Sequence, residues 1–160
     1  LTCTGCNSAL SSCERGGRWE RAVGLLDGMR RTGIEADVVT CSAAIGACSS
    51  GGQWERPLGL LEGLCLDAME PNVVSSGATL AACDRAGAWG RALALLAGER
   101  AWRLPRSVVS CTSAISACKK GGRWLEAVGL LEEMQLLGIE PNTVSCSAAV
   151  SVCEKGQRWE

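Results

Sequence analysis

Eleven cysteines and no histidine set the range of chemistry open to this 160-residue chain. Thiols bind metals, form disulfides or act as nucleophiles, and each role demands a particular geometry. Cys13, Cys48, Cys83, Cys118 and Cys153 follow one another at intervals of 35 residues. Cys6, Cys41, Cys111 and Cys146 form a second column with the same period, and Ser76 fills its gap. Only Cys3 and Cys65 stand outside these columns. Neighbours such as Cys41 and Cys48, if on one helix, are separated by about 10.5 Å at 1.5 Å per residue. A disulfide needs Cα atoms within roughly 7 Å. "CTGC", from Cys3 to Cys6, is a lone CxxC. Zinc would require two further ligands, and no histidine or second CxxC offers them. The thiols therefore read as small buried hydrophobes, and no metal or cofactor is expected. The aspartates Asp27, Asp37, Asp67 and Asp84 are scattered and make no carboxylate cluster. With no histidine for acid–base work and no HxE…CxxC arrangement of a zinc deaminase, we expect no enzymatic activity.

The period extends well beyond cysteine. Trp19, Trp54, Trp89, Trp124 and Trp159 are also 35 residues apart, in stretches such as "GGRW" and "GGQW". A fixed period of this size signals a repeat architecture. The units run 3–37, 38–72, 73–107 and 108–142, with a partial unit 143–160, all in one array over 1–160. Each unit reads as two helices. In "VVTCSAAIGACSS", Cys41, Ile45 and Cys48 mark one helical face. The corresponding sets are Cys6, Leu10, Cys13; Ser76, Leu80, Cys83; Cys111, Ile115, Cys118; and Cys146, Val150, Cys153. A glycine-containing turn follows, then a second helix whose stripe is Trp124, Val128, Leu131, Met134, or Trp54, Leu58, Leu61, Leu64 in the second unit. Gly138 suits a left-handed C-terminal cap, with Ile139 folding back and Pro141 barring continuation. Pro57 falls in a first turn, where its missing N–H matters least. The expected fold is all-α, a right-handed α-solenoid of stacked helix-turn-helix hairpins, with the tryptophans packed into its continuous core. The third unit departs from this pattern in "AGERAWRLPRS", where looser packing or an altered turn is expected.

Formal net charge is −1, so no global positive field draws a polyanion. No apolar run is long enough to span a membrane. Small polar residues nevertheless recur on the first helix: Val39, Ser42, Gly46 and Ser49 follow one row, pointing away from the Cys/Ile stripe, and are suited to lining a concave groove. Arg15, Arg85, Lys120 and Lys155 recur near its end, with Ser50 as the exception. They read either as phosphate contacts or as solvated cations at a helix C-terminus.

"VVTCSAAIGAC", "GGRWLEAVGLLEEMQLLGIEPN" and "VSCSAAVSVCEKG" resemble pentatricopeptide repeats. The period, the turn, the "EEM" tail and the "G-I-x-P-N/D" linker all agree. The likeness is imperfect early in the first helix, where the family has an aromatic and this chain has Cys41, Cys111 and Cys146. The resemblance implies binding of single-stranded RNA, one base per repeat, in RNA processing, stability, translation or editing within a chloroplast or mitochondrion. We expect no targeting segment within these 160 residues. Base reading falls by resemblance on the fifth and last residues of each unit. The first unit offers Asn7 with Asp37, a reader of U. Ser42 with Asn72 and Thr112 with Asn142 resemble readers of A. Gly77 with Ser107 fits no defined pairing, and Ser147 has no partner within the chain. The base-wedging residues are Thr4, Val39, Val74, Val109 and Val144. A helical scaffold for protein partners without RNA binding is the alternative. Uncapped ends favour self-association.

Overall fold

The computed structural model describes residues 3–66 and 69–155, all helix and turn. Helix α1 spans Cys3–Arg15 and α2 Trp19–Arg31. They are followed by α3 (Val38–Ser50), α4 (Glu55–Leu66), α5 (Val73–Ala86) and α6 (Trp89–Ala101). Then come α7 (Val108–Lys120), α8 (Trp124–Leu136) and α9 (Thr143–Lys155). Within each of its two compact units the helices pair as hairpins stacked one upon the next, the all-α solenoid architecture that the period implies. The chain divides into two compact units, the first ending at Ala82 and the second beginning at Cys83, inside α5.

In the first unit, α3 packs against α1, α2 and α4. Leu10, Cys13, Ala22, Leu26, Ala44 and Ala47 form one buried cluster, flanked by Leu25, Ala36, Ala43 and Leu60. Alanine at the contact lets the helix backbones approach closely, and leucine fills the space on either side. In the second unit, α7 takes the corresponding place among α6, α8 and α9, with Ala114, Ile115, Ala117 and Cys118 fully buried.

The stripe of the second helices is turned by about a residue from the expected one. Ala127, Leu130 and Met134 are buried on α8, while Val128 and Leu131 are only half-buried. On α4 the buried residues are Pro57, Leu61 and Leu64, and Leu58 is half-buried. The described tryptophans are likewise not core residues: Trp19, Trp54, Trp89 and Trp124 are all half-buried. An indole is too bulky for the seam that Ala22, Ala92 and Ala127 occupy at 0 % exposure. Trp19 instead lies over the turn of the following hairpin, where a Cβ on Gly51 would stand 2.4 Å from its Cδ1. Trp89 lies over Gly121 in the same manner, at 2.1 Å, and Arg123 stacks on its outer face, 4.4 Å from the ring centroid. Each of these two indoles is a clasp between one hairpin and the next turn, where a glycine leaves room for the ring. Trp159 lies outside the described residues.

Helix ends reuse one device. At the end of α8, Gly138 adopts φ +69°, its N–H donates to the Gln135 carbonyl, and Ile139 N–H donates to Met134 at 2.8 Å. This is the Schellman closure expected from sequence. The third hairpin keeps it, contrary to the altered turn expected there. Leu104 N–H donates to Glu99 at 2.9 Å and Arg103 N–H to Arg100 at 3.2 Å, with Arg103 itself at φ +53°. Glu99 is 2 % exposed in the column held by Met29 and Met134. Arg106 and Arg100 both reach the Glu133 carboxylate, at 3.3 and 3.1 Å. Polar pairing thus replaces part of the apolar packing at this joint.

The first-helix stripes are buried as expected in α1, α3, α5 and α7, but not in α9. Cys146 and Val150 are exposed and Cys153 is half-buried, because no described element covers that face. The nine described cysteines are free thiols, seven of them buried. Burial raises the pKa of Cys48 and Cys111 and pushes Cys83 and Cys118 up to about 11. The side chains of Cys3 and Cys65 lie outside the described residues. Among the described residues, no helix is long and apolar enough to cross a membrane.

Candidate functional site

The last residue of each unit is the N-cap of the next first helix. The Asp37 carboxylate accepts from the Thr40 backbone N–H at 2.7 Å, and Asn72 Oδ1 accepts from Ser75 N–H at 2.8 Å. Ser107 Oγ accepts from Ser110 N–H at 3.0 Å, and Asn142 Oδ1 from Ser145 N–H at 2.8 Å. Asp, Asn and Ser are the residue types that satisfy these otherwise orphaned donors. The cap fixes where each side chain sits, just outside the first turn.

Residues distant in sequence are thereby brought together. Thr40 Oγ1 lies 2.7 Å from both Asn7 Oδ1 and Asp37 Oδ1, so the expected pair of the first hairpin meets across a hydroxyl contributed by the second. The Thr40 hydroxyl and backbone N–H hold the Asp37 carboxyl below its ordinary value, and the Asn7 side chain adds to this. In the second hairpin, Ser42 Oγ lies 3.4 Å from Asn72 Oδ1, while its proton goes to the Val38 carbonyl at 2.6 Å. Thr112 likewise donates to the Val108 carbonyl at 2.6 Å. Asn142 and Ser147 are exposed, and Gly77, Ser107 and Thr112 are half-buried.

The expected wedge residues form the clearest surface feature. Val39, Val74, Val109 and Val144 are 61, 66, 65 and 59 % exposed, and Thr4 is exposed too. Single exposed valines are ordinary. The same valine exposed at the start of four successive first helices is a repeated apolar contact point beside the polar pair.

The row expected to line a groove is not open along its length. Ser42 and Ser49 are 7 and 4 % exposed. Ser49 Oγ donates to the Ala78 carbonyl at 2.8 Å, and the Glu14 carboxylate lies against Gly46, where a Cβ would stand 2.3 Å from Oε1. The small residues serve close approach between neighbouring first helices, leaving Val39 at the surface and Asn72 half-buried. Arg15 and Arg85 are exposed. Lys120 is committed to Asp84, with Nζ 3.0 Å from the carboxylate and donating to the Asp84 carbonyl at 2.5 Å. The Lys155 side chain lies outside the described residues.

The buried Thr40, Ser75, Ser110 and Ser145 column was missed in reading the sequence. Its signal was a hydroxyl residue three positions after each cap. An apolar hollow of about 640 Å³ lies apart from the polar pairs, against Ala9, Ser12, Gly16 and Leu25. These are the repeat equivalents of Ala44, Ala47, Gly51 and Leu60, which in the second hairpin are covered by the first, so the hollow is a stacking face. Among the described residues, no group of three or more His, Cys, Asp or Glu side chains is placed to hold a metal ion.

A family model described as PPR repeat matches residues 6–34 and 109–139, in the first and fourth hairpins. The first and fourth hairpins match the pentatricopeptide repeat. The chain is similar over 98 % of its length to the pentatricopeptide repeat protein PPR10 in complex with an 18-nt psaJ RNA element, at 27 % identity and a TM-score of 0.78. PPR10 from maize also matches, at 29 % identity and a TM-score of 0.74. The chain spans only 23 % and 22 % of those two PPR10 chains. The PPR domain of Arabidopsis thaliana protein-only RNase P 1, in complex with tRNA, has the same fold, with a TM-score of 0.82 at 16 % identity, over 94 % of this chain and 79 % of that one. No curated protein sequence is similar enough to match.

Proposed function

We propose that this chain binds single-stranded RNA, one base per pentatricopeptide repeat, in organellar RNA processing, stability, translation or editing. The observation that carries the proposal is the meeting of Asn7 with Asp37 and of Ser42 with Asn72, each pair beside an exposed valine. Amides and hydroxyls both donate and accept, as base edges require. The likeness to an RNA-bound PPR10 supports the reading. Repeats 3–37, 38–72, 73–107 and 108–142 and the partial 143–160 each meet one nucleotide. Asn7 with Asp37 takes U, and Ser42 with Asn72 and Thr112 with Asn142 take A. Gly77 with Ser107 does not discriminate, and Ser147 contributes to a fifth position. Thr4, Val39, Val74, Val109 and Val144 wedge between bases. Arg15, Arg85, Lys120 and Lys155 face phosphates, Lys120 after release from Asp84. The protein acts as a reader that occupies a strand, with a chloroplast or mitochondrion as its setting.

The test is binding of an RNA carrying 5′-U-A-N-A-3′ in an unstructured context against a scrambled control at low salt. Equal affinity for the two sinks base reading. A net charge of −1 makes that affinity salt-sensitive, since phosphate contacts come only from local cations. A second reading, a scaffold for protein partners, is favoured by Leu136, Leu125 and Leu137, which are 87, 64 and 49 % exposed around α8. Partners that survive nuclease treatment in a pull-down would support it.

A further inference from the structure

We propose that Thr40 is a positioning residue that makes the first repeat the most discriminating reader, an inference resting on the RNA reading above. Its side chain is fully buried, and it belongs to the second hairpin, yet its hydroxyl lies between the two polar side chains of the first. Asn7 Oδ1 and Asp37 Oδ1 are each 2.7 Å away. Asn7 also bonds Asp37 directly, so the three side chains close a ring. A hydroxyl has one proton and donates to one oxygen at a time. The ring therefore ties the orientation of the Asn7 amide to the Asp37 carboxylate.

The other repeats lack this link, although each has a hydroxyl at the same position. Ser75 Oγ and Ser145 Oγ donate to the carbonyls of Asn72 and Asn142, at 2.9 and 2.8 Å. Ser110 Oγ pairs with Ser107 Oγ at 2.8 Å. These serines bond back onto their own caps alone, whereas Thr40 meets its cap Asp37 and reaches Asn7 as well. In the second repeat, Ser42 stands 3.4 Å from Asn72, and no hydroxyl lies between them. A pair locked before the base arrives loses less freedom on binding, and a mismatched base cannot be met by turning the Asn7 amide.

The experiment uses the whole chain and two sets of RNAs. One varies only the nucleotide assigned to the first repeat, and the other varies only the one assigned to the second. Thr40→Val keeps the shape and the backbone N–H that Asp37 caps, and removes the hydroxyl. Losing one such hydrogen bond is worth roughly 3–10-fold. The expected result is a loss of that size in preference for U at the first nucleotide, with the preference at the second unchanged. Undiminished preference at the first nucleotide would overturn the positioning role. So would an equal loss at both nucleotides, which marks a structural effect. If the unaltered chain fails to distinguish these RNAs from scrambled ones, the RNA reading falls, and this inference falls with it.

Discussion

Replacing Arg103 by glycine should stabilise the protein. Arg103 is the non-glycine residue at positive φ, +53°, among those described. It stands where the fourth hairpin has Gly138 at φ +69°. A left-handed backbone costs an L-residue about 1–2 kcal/mol. Glycine avoids that cost but loses about 0.5–1 kcal/mol more conformational entropy on folding. The difference favours glycine by about 0.5–1 kcal/mol. The Arg103 side chain is exposed, so its removal opens no cavity. For a chain of this size the gain corresponds to roughly 1–4 °C in melting temperature. Urea unfolding followed by circular dichroism measures it directly, with Gly138→Arg as the mirror experiment, expected to lose a similar amount. If Arg103→Gly proves no more stable than the parent chain, and Gly138→Arg no less stable, the left-handed turn does not carry this cost.

Gly121→Ala should destabilise by about 1–3 kcal/mol through overpacking, since its Cβ would stand 2.1 Å from Trp89 Cδ1. Shortening Trp89 to leucine in the same chain should remove most of that penalty, and additive losses in the double mutant would refute the clasp. Under native conditions an alkylating probe should label Cys146 well before Cys83 and Cys118. The latter two thiols are buried with pKa values raised to about 11 and hold little thiolate. Peptide mass spectrometry would read the order. Because the folded-state pKa of Asp37 is lowered, its stabilising contribution is full above the ordinary value of 3.8 and is lost as pH falls through the lowered one. Asp37→Asn, which keeps the cap, should flatten that acid limb in a pH series of unfolding curves. Asp37→Ala should cost about 1 kcal/mol at neutral pH.

The hairpins were legible because each column repeats, so the Cys/Ile stripe and the Gly138 closure could be read several times over. What escaped the sequence depends on contacts between repeats. Periodicity alone does not distinguish an indole in a core from one laid over the next turn, and the decisive fact about Trp19 is the missing Cβ of Gly51. The Schellman closure at Arg103 was hidden because its usual glycine is absent, although the hydrogen bonds persist. Ser42 and Gly46 had the polarity and size of groove residues, but small side chains also permit close helix approach, and that second use prevails. The link from Thr40 to Asn7 spans 33 positions and leaves no local trace. The cap spacing that places Thr40 recurs only from the second unit on, three residues after Asp37, Asn72, Ser107 and Asn142.

The residue that ends one repeat also starts the next helix, which confines it to side chains able to do both. Asp37, Asn72, Ser107 and Asn142 already sample much of that short alphabet. Under the base reading proposed above, exchanges within it change what is offered to a base while altering fold stability by only about a few tenths of a kcal/mol. On that reading an array built this way acquires a new target one letter at a time, each intermediate remaining as sound a protein as its parent.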